Sequence, residues 1–289
     1  MKKVGILGLG KNLPDKILTN RDLEKMVDTS DEWITTRTGI KERRIVEKGQ
    51  AASDLATKAA REAMKEAGLK ASELDMIIVA TITPDMQLPA TACFVQANLG
   101  AKNAFCFDIS AACAGFLYGI VTAQQYIARG TCNYALVIGS EIMSSITDWQ
   151  DRSTCVLFGD GAGAAVLGEV KSGGILSSYL GSDGTKIGLL NLPGGGSKNP
   201  ASHETIDERL HYVKMQGNEL FKVAVTSMAE AAQSALKRAG LKCADVNWII
   251  PHQANLRIIN AVAKRLGFVN AQVYLTIERY GNMSSACTV

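Results

Sequence analysis

An internal repeat constrains this chain more than any other feature of its sequence. Ala63 to Ile78 reads AMKEAGLKASELDMII, and Ala235 to Ile250, 172 positions later, reads ALKRAGLKCADVNWII, with eight of sixteen residues identical. In each copy a helical stretch ends at a glycine, a short polar turn follows, and an apolar run rich in β-formers begins. The repeat therefore predicts two halves built on one plan of helix, turn and buried strand.

Further stretches extend this plan beyond both copies. A helical stretch and then a strand are predicted over 90–99 and 104–109 in the first half, and over 255–266 and 273–277 in the second. We also predict strands over 135–138, 154–167 and 175–180, a long helix over 210–239, and a loop-dominated insertion over 181–209. Strands that alternate with crossover helices indicate an α/β fold. The predicted halves are residues 1–170 and 171–289.

The composition is that of an ordinary globular protein. With 289 residues, 47% of them hydrophobic, the chain can bury a large core. A net charge of +3 is too small to indicate a nucleic-acid partner, and the sequence contains no apolar run of membrane-spanning or signal-peptide character. Seven cysteines without a C-x-x-C pair, and three histidines without zinc-ligand spacing, predict no metal site and a reduced, cytoplasmic location.

Cys113 lies where the strand predicted over 104–109 gives way to a helical stretch. Unpaired backbone N–H groups and the positive end of a helix dipole favour a thiolate at such a position. Alanine and glycine neighbours in the sequence AACAG leave room for a substrate. This predicts a nucleophile, against the alternative that Cys113 is one of the many cysteines that are simply buried.

The repeat supplies partners for this thiol. The cluster PHQAN at 251–255 follows the first predicted strand of the second half, and Asn282 follows the second strand. If the halves pack about a pseudo-twofold axis, His252 and Asn282 face Cys113 across one cleft at the C-terminal ends of strands. A thiolate, an imidazole and a carboxamide suit acyl transfer. The alternatives are a structural histidine and a helix-capping asparagine.

Five blocks of sequence connect the chain to a known family. They are DTSDEWI at 28–34, DISAACAGF at 108–116, GDGAG at 159–163, PHQAN at 251–255 and GN at 281–282. Through them the chain resembles β-ketoacyl-acyl carrier protein synthase III over most of its length, the 170–207 region excepted. The resemblance implies the thiolase-like fold, a duplicated five-layer α/β/α/β/α architecture.

The resemblance also implies a reaction. Cys113 would take an acetyl group from acetyl-CoA, and malonyl-acyl carrier protein would then bind. His252 and Asn282 would stabilise the enolate formed as CO2 leaves, and this carbanion would attack the acetyl-enzyme, the step that begins bacterial fatty acid synthesis. The implied partners are acyl carrier protein, the acyl-CoA substrate and a second copy of the chain in a homodimer. No cofactor is implied, because acetyl-CoA is a substrate.

The same matching assigns binding residues. From the sequence alone, Trp33 in the DTSDEWI block and Arg37 could also be a packed tryptophan beside a surface arginine. Leu88 would reach the partner's acyl pocket, and because leucine is smaller than the phenylalanine of some acetyl-preferring relatives, we expect primers somewhat longer than acetyl to be accepted. The implied sets are Trp33, Arg37 and Arg152 for the CoA nucleotide, Phe221 and Asn255 for pantetheine, Leu88 and Met143 for the acyl group, and Lys222, Arg257, Lys264 and Arg265 for acyl carrier protein.

Two departures from the family pattern stand out. Asn282 is followed by MSSAC where the family usually has TSAAS, and the chain stops at Val289, where family members continue through a glycine-rich loop that supplies an oxyanion-hole N–H. Two alternative functions follow. One is another thiolase-fold condensing enzyme or transacylase, of the hydroxymethylglutaryl-CoA synthase or quinolone type. The other is a truncated, catalytically silent subunit.

Overall fold

A mixed β-sheet organises the first half of the protein. The computed structural model describes residues 2–289. The strands are β1 Val4–Asn12, β2 Ile17–Thr19, β3 Glu42–Arg44, β4 Met76–Ala80, β5 Phe105–Ile109, β6 Ala135–Ile142, β7 Asp160–Glu169, β8 Leu190–Asn191 and β9 Lys214–Met215. Five of them form the sheet, in the order β1-β7-β6-β4-β5. Strands β5 and β6 run parallel to β4, whereas β7 is antiparallel to both β6 and β1.

Helices cover both faces of this sheet and make up most of the regular secondary structure of the second half. The helices are α1 Asn20–Leu23, α2 Asp31–Thr38, α3 Ala52–Ala67, α4 Thr91–Leu99, α5 Gly115–Ala128, α6 Arg152–Cys155, α7 His203–Asp207, α8 Gly217–Ala239, α9 Leu256–Leu266 and α10 Ile277–Tyr280. Short 3-10 turns lie between them, including Ala112–Ala114 and Ser284–Thr288. Among residues 2–289, no helix is both long enough and apolar enough to cross a membrane.

Strand β4 is apolar on both faces because both faces are covered. Ile77 and Val79 pack in the cluster that contains the alanines of α3, whereas Met76 and Ile78 pack with Phe116 of α5. All five residues of β4 are buried. A continuous apolar run is what a strand between two helical layers requires. The first half is thus a layer of α3, the sheet, and a layer of α5.

The helix ends predicted from the repeat are confirmed in both copies. Gly68 and Gly240 follow α3 and α8 with φ values of 68° and 71°, the left-handed conformation that ends many helices. Two further residues 172 positions apart also share a left-handed φ, although neither is glycine: Ala112 at 45° and Ser284 at 48°. The duplication therefore includes the turn that carries Cys113.

The strands predicted in the second half are wrong. Residues 175–180 form no strand, and the runs near 247–250 and 273–277 meet only in a single parallel bridge between Ile249 and Val273. Trp248 and Ile250 are 60% and 58% exposed. Parallel strand pairs are stable when further strands and covering helices bury them. The pair at Ile249 and Val273 lacks such cover, because Trp248 and Ile250 beside it are exposed. The repeat predicted that these two runs have β-forming sequences, but it did not predict which strands would lie beside them.

Other boundaries also need correction. The run predicted as one strand over 154–167 contains the end of α6 and then β7, and the long helix begins at Gly217 rather than at 210 because β9 and a bend precede it. The insertion over 181–209 is mostly irregular, as predicted, but contains β8 and α7. The helices predicted over 90–99 and 255–266 are confirmed within one residue as α4 and α9.

Candidate active site

One cavity of about 1250 Å³ lies between the two halves. Cys113 from the first half lines it, and so do His252 and Asn282 from the second. The structure therefore brings together the three side chains that the repeat placed on facing strand ends. A concave site with a few converging polar groups on mainly apolar walls is typical of a small-molecule site.

Cys113 occupies the 3-10 turn directly before α5. Burial raises the pKa of the Cys113 thiol to about 11, and the Glu141 carboxylate adds to the rise, while the Ser284 hydroxyl and the backbone N–H of Cys113 lower it. The expectation that the helix start favours a thiolate is therefore wrong for the free protein. Loss of solvent disfavours the charged form more strongly than the neighbouring dipoles stabilise it.

His252 is held by the residue that follows it. The Gln253 side chain is buried, its amide donates to the Pro251 carbonyl at 2.9 Å, and its Oε1 accepts from the N–H groups of Thr276 and Ile277 at 2.8 and 3.0 Å. Among residues 2–289, Nδ1 of His252 is buried without a hydrogen-bond partner. The loop that carries the imidazole is thus fixed to the segment that leads to Asn282.

Asn282 is anchored on the first half. Its backbone N–H donates to the Leu157 carbonyl at 2.9 Å, and its own carbonyl accepts from the Gly159 N–H at 3.1 Å. The Ser284 N–H donates to Oδ1 of Asn282 at 2.9 Å. Because a backbone N–H can only donate, this bond identifies the amide oxygen and leaves the Nδ2 group as the donor for a ligand in the cavity.

Two guanidinium groups flank the tryptophan at the cavity mouth. Arg37 and Arg152 lie 5.6 and 5.1 Å from the ring centroid of Trp33. Trp33 and Arg37 line the cavity, while Arg152 stands behind the indole and donates to the Asp28 carbonyl at 2.8 Å. The three residues assigned to a nucleotide thus form one cluster that offers a flat face and positive charge.

The wall beyond this mouth contains Phe221 and Asn255. Asn255 also caps α9, because its Oδ1 accepts from the Arg257 N–H at 2.8 Å and its Nδ2 donates to the Arg37 carbonyl at 3.2 Å. Both ends of its amide are therefore engaged within the protein. Phe221 lies beneath the Arg257 guanidinium, 5.7 Å from it.

The remaining predicted residues separate into two groups. Met143 is buried and lines the cavity, whereas Leu88 lies outside it and is 84% exposed. Lys222 and Arg257 lie at the rim, and Lys222 pairs with Glu219 at 2.8 Å. Lys264 and Arg265 do not line the cavity and are exposed on the last turn of α9.

Sequence reasoning missed two parts of this site. The insertion and the segment after it supply apolar wall residues, and His211 beside them is half-buried and bonded to Thr205 at 2.9 Å. Glu141 was also missed, although a carboxylate near the end of a mostly apolar strand is an unusual pattern. The wall residues that follow the half boundary are Leu190, Leu192, Val213 and Met215.

The duplicated plan and the thiol between its halves define the class of protein, a thiolase-like acyltransferase of the condensing type. Residues 107–184 and 236–289 match the family models for 3-oxoacyl-[acyl-carrier-protein (ACP)] synthase III and its C-terminal part. A β-ketoacyl-[acyl-carrier-protein] synthase III of Caldanaerobacter subterraneus is 60% identical over 283 residues, which cover 98% of this chain and 86% of that protein. One of Clostridioides difficile is 52% identical over 284 residues, 98% and 87% of the two lengths.

Solved structures agree with these sequences. The crystal structure of 3-oxoacyl-[acyl-carrier-protein] synthase III from Aquifex aeolicus superposes with a TM-score of 0.91 at 49% identity, covering 99% of this chain and 88% of that one. The chain belongs to the 3-oxoacyl-[acyl-carrier-protein] synthase III family. The thiolase-like fold implied by the sequence blocks is confirmed.

Proposed function

We propose that Cys113, His252 and Asn282 carry out the reaction of this acyltransferase, the decarboxylating condensation of a short acyl-CoA with malonyl-acyl carrier protein that begins bacterial fatty acid synthesis. The observation that carries this assignment is the convergence of the three side chains on one cavity between the halves. The products are 3-oxoacyl-acyl carrier protein, CoA and CO2.

In the first stage Cys113 accepts the acyl group. Its sulfur attacks the thioester carbonyl, the C–S bond to CoA breaks, and the thiol proton ends on the CoA sulfur. Because the raised pKa keeps Cys113 protonated in the free protein, this proton has to leave as the substrate binds and reacts. Covalent capture divides one difficult condensation into two easier steps.

In the second stage the second half supplies the hydrogen bonds. Loss of CO2 from the malonyl group leaves an electron pair that becomes an enolate, and the charge develops on the thioester oxygen. His252 and the Nδ2 group of Asn282 donate to that oxygen. Donors that are fixed in place before charge develops stabilise a transition state more than mobile water does. The carbanion then attacks the acyl group on Cys113 and releases the thiolate. In this proposal no resident cofactor takes part.

A two-stage experiment tests the assignment. Incubation with acetyl-CoA alone is expected to add one acetyl group, and peptide mass spectrometry should locate it on Cys113. The Cys113→Ala variant controls for other thiols and should stay unlabelled. Release of CO2 from malonyl-acyl carrier protein then separates condensation from simple transacylation. Folded protein of full mass that takes up no label would contradict the proposal and support a silent subunit.

The mouth of the cavity supports the proposed route for CoA. Trp33 offers its indole face to the adenine, and Arg37 and Arg152 offer guanidinium groups to the phosphates. Phe221 and Asn255 would line the path of the pantetheine arm. Trp33→Ala should raise the KM for acetyl-CoA far more than that for malonyl-acyl carrier protein, since only the first substrate carries a nucleotide.

Positive charge on the last turn of α9 and beside the mouth supports a docking surface for the acidic carrier protein. Lys264 and Arg265 are exposed, and Arg257, on the first turn of the same helix, lines the cavity. Exchange of both distal residues for glutamate should raise the KM for malonyl-acyl carrier protein and leave acetylation by acetyl-CoA unchanged. Charge on the rim of an interface acts mainly on encounter, so the effect should shrink as salt is added.

The edge of the sheet supports a homodimer. Strand β5 has a free edge, and beside it Phe105 and Leu117 are 44% and 51% exposed. A second copy would cover this edge, and Leu88 would then reach the partner's acyl pocket. Sedimentation should find a dimer. Turnover of butyryl-CoA and isobutyryl-CoA comparable with acetyl-CoA would support the wider primer pocket, whereas strict acetyl preference would contradict it.

We also propose that the chain divides into two halves, residues 1–170 and 171–289. Strand β7 ends at Glu169, directly before the proposed boundary. Limited proteolysis should first cleave after this strand or in the insertion. A cytoplasmic site of action accompanies the proposal, because its substrates are CoA and carrier-protein thioesters.

A further inference from the structure

The buried carboxylate Glu141 lies at the end of β6, directly behind the cavity wall. It is fully buried, and burial raises the pKa of its carboxyl group, while bonds from the surrounding donors act in the opposite direction. One oxygen, Oε2, accepts from the Ile82 N–H at 3.1 Å and from the hydroxyls of Thr81 and Thr83 at 3.3 and 2.8 Å. These contacts fix Glu141 on the loop that follows β4.

The other oxygen reaches across to the second half. Oε1 of Glu141 accepts from the Ser284 hydroxyl at 3.0 Å, a contact between residues 143 positions apart. Ser284 is itself buried, and its N–H is the group that donates to Oδ1 of Asn282. A continuous path of hydrogen bonds therefore runs from the core of the first sheet to the amide of Asn282.

The backbone of Ser284 explains why such an anchor is needed. Its φ of 48° is left-handed, a conformation that costs a non-glycine residue about 1–2 kcal/mol. Strained backbone persists where its surroundings hold it in place, and it is found preferentially at functional sites. Released from Glu141, Ser284 could relax to an ordinary φ, and its N–H would then leave Oδ1 of Asn282.

We propose that Glu141 is a positioning residue for Asn282, acting through Ser284 to keep the amide Nδ2 group aimed at the substrate oxygen. The inference rests on the proposed role of Asn282 in decarboxylation. Glu141 does not touch the substrate in this scheme. Its effect should therefore fall mainly on the stage that uses Asn282, and the acylation of Cys113, whose pKa the Glu141 carboxylate raises, should change less.

A matched pair of serine variants provides the main test. Ser284→Ala removes the hydroxyl that donates to Glu141 and keeps the backbone N–H that donates to Asn282. Ser285→Ala is the control, because Ser285 is also fully buried beside Glu141, but its hydroxyl donates to the Ala80 carbonyl at 2.8 Å, and it is the N–H of Ser284 that donates to Asn282. Both should lower the melting temperature.

The two variants should differ in catalysis. Ser284→Ala is expected to slow CO2 release from malonyl-acyl carrier protein by about ten- to a hundredfold, because a small misplacement of a catalytic group has effects of that size. Its acetylation by acetyl-CoA should slow by a smaller factor, and some slowing is expected because the Ser284 hydroxyl also lowers the pKa of Cys113. Ser285→Ala should keep the wild-type ratio between the two stages. Equal ratios in the two variants would overturn the proposal.

Substitution of Glu141 itself tests the anchor. Glu141→Met removes both acceptors and should reproduce the Ser284→Ala defect. Glu141→Gln should restore most of the rate, since its amide keeps one acceptor for the β4 loop and can donate to the Ser284 oxygen. A Gln variant as impaired as the Met variant would contradict positioning by this hydrogen bond. If the Met variant does not fold, the serine pair and the Gln variant decide.

Asn282→Ala separates this inference from the function it depends on. If Asn282→Ala leaves CO2 release intact, the proposed role of Asn282 fails, and the Glu141 proposal fails with it. If Asn282→Ala is slow while Ser284→Ala is not, only the Glu141 proposal fails. The expected result is that Ser284→Ala slows CO2 release in the wild-type background but adds little in the Asn282→Ala background, because residues that act as one unit are not additive.

Discussion

The two copies of the repeat have the same local structure in different surroundings. Ile78 and Ile250 occupy equivalent positions, 172 residues apart. Ile78 lies inside β4 with no exposed surface, whereas Ile250 is 58% exposed. The helix ends before them are equivalent, since in both copies a left-handed glycine is followed by a leucine N–H bonded back to the helix at 3.0 Å. Local sequence thus determines the helix end, and the neighbouring strands determine whether the apolar run is buried.

The same comparison applies to the chemistry. The turn at Ala112 and the turn at Ser284 share one backbone conformation, yet the first presents a thiol and the second presents an amide and a hydroxyl. Duplication has placed two copies of one turn against a single cavity. Because the two turns now carry different side chains, each would serve a different step of the proposed reaction. The first half would capture the acyl group, and the second half would stabilise the enolate.

The largest expected effect tests this division of labour. His252→Ala should slow CO2 release from malonyl-acyl carrier protein by about 10²–10³-fold, the usual cost of one oxyanion donor. Acetylation of Cys113 should stay within a few-fold of wild type, because Cys113 belongs to the first half. Rapid-quench labelling with acetyl-CoA, beside a CO2-release assay, measures both. A variant in which the two stages fall together would contradict the division.

The next effect concerns the raised pKa of the Cys113 thiol at the cavity between the halves. Because burial raises its pKa to about 11, little thiolate exists near neutral pH. The rate of alkylation by iodoacetamide should therefore rise by about tenfold per pH unit, and continue to rise beyond the pKa of an ordinary thiol near 8.5. Mass spectrometry of the Cys113 peptide supplies the rates. A plateau reached by about pH 8 would mean that the cavity wall is open in solution.

A pair of matched truncations tests the difference between the two copies directly. Ile78→Ala should lower the free energy of unfolding by about 2–5 kcal/mol, the range for a buried isoleucine. Ile250→Ala should change it by less than about 0.5 kcal/mol, as at an ordinary surface site. Urea denaturation of the two variants gives both values. Equal losses would show that Ile250 is buried in solution, for example by a further strand or a second chain.

The smallest expected effect concerns the glycines that end α3 and α8, which have the same conformation in both copies of the repeat. Gly68→Ala and Gly240→Ala each place a side chain on a left-handed residue with open space around it, so strain of about 1 kcal/mol is the only expected cost. Hydrogen exchange at the ends of α3 and α8 should change by similar amounts. Strongly unequal changes would indicate that the two helix ends are not equivalent.

Much of the candidate site could be predicted from the sequence. Cys113, His252 and Asn282 were each placed at the end of a strand or the start of a helix by the repeat, and all three line the cavity. Glu141 could not be found in this way, because its role depends on Ser284, 143 positions away, and on three donors after β4. The state of the Cys113 thiol was mispredicted because burial is a tertiary property.

The sequence by itself determined the duplicated plan, the glycines that end α3 and α8, and the residue types that meet in the site. These follow from short-range rules of helix capping, hydrophobic periodicity and side-chain chemistry. Only the tertiary structure decided that Ile78 is buried and Ile250 exposed, that desolvation raises the pKa of Cys113, and that Glu141 connects the first sheet to Ser284. Burial and long-range hydrogen bonds depend on which segments become neighbours, and no local pattern encodes that.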